Sequence, residues 1–299
     1  MELRLKLGMA FLAVYVIWGS TYLAIRFVIE TIPPFFMAGT RFIIAGLILY
    51  ALTRLRGAPP PTSLHWREAF VIGGLLLLGG NGAVAWSEQW VPSGLTSLLI
   101  GTTPLWMVLV DSLHHRTRPS IGGTVGLLLG FAGVALLVGS IENIGENNMI
   151  IPAAIIIVFG AFLWATGSLY SRSAGTTTSQ LQPAALQMIA GGILLLSASL
   201  ITGEWTRVIL DQVSLRSMLS WLYLIIFGSL IAFSSYIWLL KRTTPSRVST
   251  HAYINPLVAM ILGWALAEEA LTARNVLAAI IILISVAVIT IYAAESEHI

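Results

Sequence analysis

Ser97-Leu98-Leu99-Ile100-Gly101-Thr102-Thr103-Pro104-Leu105 and Ser249-Thr250-His251-Ala252-Tyr253-Ile254-Asn255-Pro256-Leu257 carry the same punctuation 152 positions apart: a serine, then Pro-Leu in the middle of an apolar run. A proline inside a helix removes a backbone donor and costs about 3 kcal/mol. Chance likeness between two leucine-rich helices is the competing reading, and two such costly residues at matching depth weigh against it. Working outward, the same offset pairs Ser120 with Thr272. Towards the amino end the offset becomes 146, pairing Trp18 with Trp164, Arg41 with Gln187, Gly46 with Gly192, and the apolar run from Leu47 with that from Ile193. The chain reads as two copies of one unit, residues 1–145 and 146–299.

Composition sets the environment. Of 299 residues, 57% are hydrophobic and only 10% charged, against roughly 25% charged in soluble domains. A membrane helix needs about 20 apolar residues, and the expected spans are 7–27, 35–53, 69–87, 95–113, 121–140, 150–170, 181–202, 218–240, 248–267 and 272–292. Residues 1–27 are read as an uncleaved first span, because no small-x-small site closes the apolar run. In lipid each span must be helical, since backbone groups can pair only within their own segment or in a closed barrel. The expected class is an all-α integral membrane protein of ten transmembrane helices. The longest polar stretch, 203–217, is too short for a catalytic module. With no cysteine, disulfides, thiolate metal sites and cysteine nucleophiles are excluded. A net charge of +3 gives no reason to expect nucleic acid.

Charge distribution orients the bundle. Arg4, Lys6, Arg54, Arg56, Arg67, Arg116, Arg118, Arg172, Lys241, Arg242 and Arg247 fall on one side, and Arg207, Arg216 and Arg274 on the other. Eleven against three is a positive-inside signal, so both termini are expected in the cytoplasm, with the chain in the cell (inner) membrane. Glu30, Glu142, Glu146, Glu268 and Glu269 then lie outside. Five spans per unit is odd, so the second unit must enter the membrane upside down. Inverted repeats of this kind belong to alternating-access transporters with a midplane substrate site.

Trp18-Gly19-Ser20-Thr21-Tyr22 ahead of Ala38-Gly39-Thr40-Arg41-Phe42 resembles the opening of the EamA family in the drug/metabolite transporter superfamily. Gly80-Asn81-Gly82, Val91-Pro92-Ser93-Gly94 and Tyr253-Ile254-Asn255-Pro256 resemble its YedA/PecM-like branch. The likeness runs from about residue 9 to 292. It implies ten helices in two inverted five-helix repeats, and export of small metabolites or amphipathic compounds across an inner membrane. The family's Glu after the ninth helix is matched by Glu268 or Glu269. After the fourth helix the chain instead reads Leu113-His114-His115-Arg116, so a role resting on a symmetric Glu pair does not carry over.

Within the spans, Arg41 is the most informative residue. A cation there costs at least about 2.5 kcal/mol unless paired or hydrated. It either faces a cavity and holds an anionic group such as a carboxylate by a bidentate contact, or it snorkels outward or pins Glu88 or backbone carbonyls in a closed state. Gln187, its repeat-mate, joins the candidate binding set. So do Asn81 and Asn255, whose amides both donate and accept, and the aromatic residues Trp18, Tyr22, Trp106, Trp164 and Tyr253. Core packing is the alternative for each aromatic and interhelical bonding for each asparagine. Pro104 and Pro256 are expected kinks, the latter freeing a carbonyl near His251 or Ala252. Inverted symmetry places Trp86, Glu88 and Ser97 at an outer gate and Tyr236, Trp238 and His251 at an inner one. The Gly122, Gly126, Gly130 and Gly133 stripe reads as scaffold packing opposite Ala278 and Ala279, or as a homodimer contact.

The expected function is a secondary transporter working by alternating access around a midplane cavity. It exports small metabolites, amino acids or related amphipathic compounds. No carboxylate falls in the middle third of a span, which favours facilitated diffusion or exchange; proton-coupled efflux through Glu88 or His251 is the alternative. An intramembrane hydrolase would need a nucleophile with a base in reach. His251 with Ser234 or Ser235 is the only candidate, and no Gly-x-Ser-Gly or His-Glu-x-x-His run exists, so no enzyme activity, metal or cofactor is expected. A channel is disfavoured by the lack of a carbonyl filter or charged ring. The expected partners are a small-molecule substrate and the lipid bilayer.

Overall fold

The structure, a computed structural model, describes residues 2–115, 121–141, 148–174, 181–243, 245–248 and 250–296. Arg116, Arg118, Ser120, Glu142, Glu146 and Ser249, the boundary at 145/146 and the Tyr253 side chain lie outside what it describes. The described residues contain helices and turns and no strand. The principal helices are α1 (Leu3–Val28), α2 (Pro34–Leu55), α3 (Ser63–Ser87), α4 (Ser93–Leu113), α5 (Ile121–Ile141), α6 (Ile150–Ser173), α7 (Gln182–Ile201), α8 (Leu215–Leu240), α9 (His251–Ala267) and α10 (Ala273–Ser296). Among the described residues, seven helices are long and apolar enough to cross a membrane; α5, α9 and α10 carry shorter apolar stretches. Side chains such as Leu47, Leu128, Ile155, Phe159 and Trp264 point outward, as lipid-facing positions must.

Two helix pairs form the scaffold, α2 with α7 and α5 with α10. Both are closed by glycine. A Cβ added at Gly46 would lie 2.9 Å from the Ile189 nitrogen, and one at Gly192 would lie 2.9 Å from the Ile43 nitrogen. These two contacts exchange under the offset of 146 found in the sequence. Gly39 meets Leu196 further along, so α2 and α7 run in opposite directions. In the second pair a Cβ at Gly130 would meet Ser285 Oγ at 2.6 Å, and one at Gly133 would meet Ile282 at 2.8 Å. These contacts exchange under the offset of 152, and the helices again oppose each other. At Gly130 and Gly133 the glycine stripe therefore packs against α10 of the same chain.

Three helices widen into π-helical turns: α1 at Ala13–Ile17, α3 at Gly74–Gly82 and α8 at Leu224–Phe233. Such segments shift the register of side chains and recur at functional sites. The prolines act differently from each other. At Pro104, α4 breaks at Gly101-Thr102, and the Thr103 hydroxyl donates to the Ile100 carbonyl (2.6 Å), the acceptor that the proline leaves unpaired. α9 instead runs through Pro256. There the Asn255 amide nitrogen, oriented towards its acceptors, sits 3.2 Å from the His251 carbonyl.

The loops gather at two ends. At one, Glu204 accepts from the Phe36 amide at the start of α2 (2.8 Å). At the same end Glu269, just past α9, accepts from Ser93 N (2.7 Å), Ser93 Oγ (2.8 Å) and Gly94 N (2.9 Å) at the start of α4. Each carboxylate satisfies amides that a helix start leaves unpaired, where the helix dipole favours negative charge. At the other end Gln182 Nε2 donates to the Pro59 carbonyl (2.8 Å), and the Tyr15 and Thr250 hydroxyls pair at 2.5 Å.

Candidate functional site

The α3 turn lines one cavity, and the α1 and α8 turns hold residues of its wall. The α3 turn supplies Gly80 and Asn81 to its wall. The α8 turn supplies the Gly228 carbonyl, which accepts from Trp18 Nε1 at 3.2 Å, and the Ser229 hydroxyl, which accepts from Arg41 Nε at 2.8 Å. The α1 turn presents the Val14 and Tyr15 carbonyls, 3.2 and 2.9 Å from the Asn255 amide nitrogen. Gly80 matters for its size, since a Cβ there would lie 2.5 Å from the Trp164 ring.

Trp18, Tyr22, Arg41, Asn81, Trp164 and Asn255 all line this cavity. Trp18 is its centrepiece, with ring centroids 4.8 Å from Tyr236, 5.5 Å from Trp164 and 5.7 Å from His251. Trp164 Nε1 donates to Tyr236 Oη (3.0 Å), whose hydroxyl also pairs with Ser168 Oγ (2.7 Å). This aromatic box is fixed by polar handles, so its flat faces are preorganised for a planar or amphipathic solute.

Arg41 is 3% exposed. Its guanidinium lies 4.5 Å from the Phe42 ring centroid, and Ser229 is its hydrogen-bond partner among the described residues. Glu88 is not pinned by it. A buried guanidinium facing a cavity with one neutral hydroxyl for company keeps both terminal nitrogens available for a bidentate anion contact.

His251 was expected at the inner gate and lies in the cavity wall. Its Nδ1 stands 2.8 Å from the Val248 carbonyl. A carbonyl can only accept, so Nδ1 carries a proton and donates it to Val248. Ser234 Oγ is buried without a hydrogen-bond partner among the described residues, so the Ser234–His251 pair weighed for a hydrolase is not formed.

Several expected residues sit elsewhere. Trp106 packs on Phe131 and Phe162, with ring centroids 5.4 and 5.6 Å away, because the break in α4 turns it off the cavity. Gln187 lines a second cavity of about 320 Å³ with His65, Glu68, Ser171 and Lys241, since α7 faces α3 and α6 there. Its Nε2 reaches Ser171 Oγ at 3.4 Å. Lys241 donates to the Ala174 carbonyl (2.8 Å); burial pulls its ammonium below the usual lysine range, and Glu68 opposes this. Trp86 stacks near Trp90 (4.5 Å), Ser97 Oγ bonds the Gly94 carbonyl (2.7 Å), and Trp238 lies 5.7 Å from the Arg242 guanidinium. Thr21, Ile25, Val84, Ile100 and Thr103 also line the main cavity. They escaped the sequence reading because aliphatic and threonine side chains are ordinary in membrane helices. Ser229 escaped because nothing in its local sequence marks a π turn.

The EamA-like transporter family matches this chain twice, over residues 6–139 and 151–291. An uncharacterized inner membrane transporter of Escherichia coli K12, YedA, is 38% identical over 94% of this chain and 90% of its own length. Protein PecM of Dickeya dadantii is 26% identical over 89% and 86%. A crystal structure at 20% identity superposes with a TM-score of 0.67, covering 96% of this chain and 97% of the other, which shows the fold alone. The chain belongs to the EamA-like transporter family of the drug/metabolite transporter superfamily.

Proposed function

We propose that this membrane protein is a secondary transporter that exports small metabolites bearing a carboxylate and a flat or amphipathic body, amino acids or their relatives, across the inner membrane. It works by alternating access about the Trp18–Arg41 cavity, as facilitated diffusion or exchange. The observation that carries this reading is Arg41, a buried cation in an aromatic cavity with a serine hydroxyl as its hydrogen-bond partner. An anionic solute completes that site, whereas a permanent internal carboxylate would block it.

Ten crossing helices in two inverted five-helix repeats, 1–145 and 146–299, supply the moving parts. Support comes from the reciprocal glycine contacts of α2 with α7 and α5 with α10, from the opposed directions of those helices, and from π turns in both α3 and α8. The eleven-to-three basic bias puts both termini in the cytoplasm and the Glu204–Glu269 end outside. The family and its transporter-named relatives support a carrier over an enzyme.

A thermal-shift screen of purified protein against a metabolite library tests the site. Stabilising hits should be carboxylates, and their shifts should shrink in Arg41→Ala and Trp18→Ala. Hits that stabilise both variants as strongly as the parent place binding elsewhere.

A further inference from the structure

Glu88 directly follows α3 and is completely buried. Neither carboxyl oxygen has a hydrogen-bond partner among the described residues. An ionised carboxylate left without donors in such a place would cost several kcal/mol. The groups whose charge it senses are Tyr22 and Arg26 on α1 and Glu269 in the α9–α10 loop. The near ends of α2 (34–40), α4 (93–97) and α6 (150–159) carry no charged residue. Arg26 spends a guanidinium N–H on the Glu88 backbone carbonyl rather than on its carboxylate. Glu269, in contrast, accepts from three donors at the start of α4. Burial first and the Glu269 charge second push the Glu88 carboxyl well above the usual carboxylate range, with Arg26 pulling the other way.

We propose that Glu88 and the Glu269 clasp form a proton-linked latch at this end of the bundle: Glu269 clasps the start of α4, and Glu88, buried without a donor in the turn that leads into that same start, holds one proton only as long as the clasp is closed. When α4 parts from the α9–α10 loop, water reaches Glu88, the neighbouring charge moves away, and the proton leaves to solvent. Closure takes one back. Glu88 does not line the solute cavity, so the site senses pH at one mouth without carrying protons through. Naming that mouth the outer one rests on the transport reading above; the proton site and its linkage do not.

The sign follows from the shift. A carboxyl whose affinity for protons is higher in the closed state favours closure at low pH. That advantage is lost as pH rises from the ordinary glutamate range towards the raised value, by about tenfold per pH unit for one proton.

The chain has no cysteine, so Ser97→Cys, one turn inside the clasp and 1% exposed, reports opening through maleimide labelling. Dividing by the rate at an exposed Thr206→Cys removes the thiol's own titration. The expected ratio climbs with pH by up to tenfold per unit in the parent and stays flat and low with Glu88→Gln, which mimics the protonated acid. Infrared spectra at neutral pH should show a protonated carboxylic acid in the parent and none in Glu88→Gln. If the glutamine variant does not fold, Glu88→Met serves in both measurements. A flat parent ratio, a rise that survives removal of Glu88, or no protonated acid in the parent overturns the proposal. None of these readouts requires a solute, so they stand or fall separately from the transport reading.

Discussion

At one end of the bundle Glu204 and Glu269 reach from beyond α7 and α9 to the starts of α2 and α4. At the other end, Gln182, the counterpart of Phe36 under the 146-residue offset, donates to Pro59, the residue after the counterpart of Glu204, an amide on a carbonyl. Both are bonds across the halves at a helix start, and they differ in charge. Hydrogen bonds to an ionised group contribute about 1.5–3 kcal/mol each, neutral ones about 0.5–1.5. Four charge-assisted bonds join the halves at the Glu204–Glu269 end; at the Gln182 end the Gln182 bond and the Tyr15–Thr250 hydroxyl pair join them, with Lys241 in the field of Glu68. The reciprocal glycine contacts thus sit between fastenings of different chemistry, carboxylates on backbone amides at one end and an amide on a carbonyl at the other.

Removing Glu269 should break this comparison most strongly. Glu269→Ala deletes three bonds to α4, and labelling at Ser97→Cys should rise by roughly a thousandfold or more; an unchanged rate would show that apolar packing, not the carboxylate, closes this end. Glu204→Ala removes one such bond, and a reporter at the start of α2 should gain roughly tenfold.

The aromatic box stands between the two ends. Tyr236→Phe strands the Trp164 indole N–H, while Ser168 keeps its bond to the Trp164 carbonyl (2.7 Å), and should lower stability in detergent by about 1–3 kcal/mol. A loss within error would mean that those groups find other partners. The smallest effect belongs to the Gln182 end, where Gln182→Ala should change labelling near Pro59 only about threefold. A change larger than that of Glu269→Ala would reverse the ranking of the two ends.

Much of this architecture is legible in the residues. Apolar runs and sparse charge identify a helical membrane protein, and Pro104 with Pro256 and Gly46 with Gly192 mark the duplication, because proline and close-packed glycine are costly unless geometry demands them. The placement of Trp18, Arg41, Asn81 and Asn255 on one wall follows from the same logic, since polar and bulky groups deep in a span must face protein. What could not be read is register. A π turn shifts every later side chain, and nothing in Leu224–Phe233 announces one, so Ser229 went unseen as the partner of Arg41. The break at Gly101 turned Trp106 away, and α7 carried Gln187 to another cavity although it aligns with Arg41. The caps by Glu204 and Glu269 were equally hidden, because a loop carboxylate looks solvated until its tertiary partner is known.

Solute counterflow in proteoliposomes tests the central claim, that the two mouths open in turn onto the Trp18–Arg41 cavity. With a stabilising carboxylate loaded inside, labelled solute outside should accumulate transiently and saturably, and Arg41→Ala should abolish the overshoot while leaving the fold intact. Non-saturable uptake without overshoot, or full counterflow in Arg41→Ala, would contradict the account.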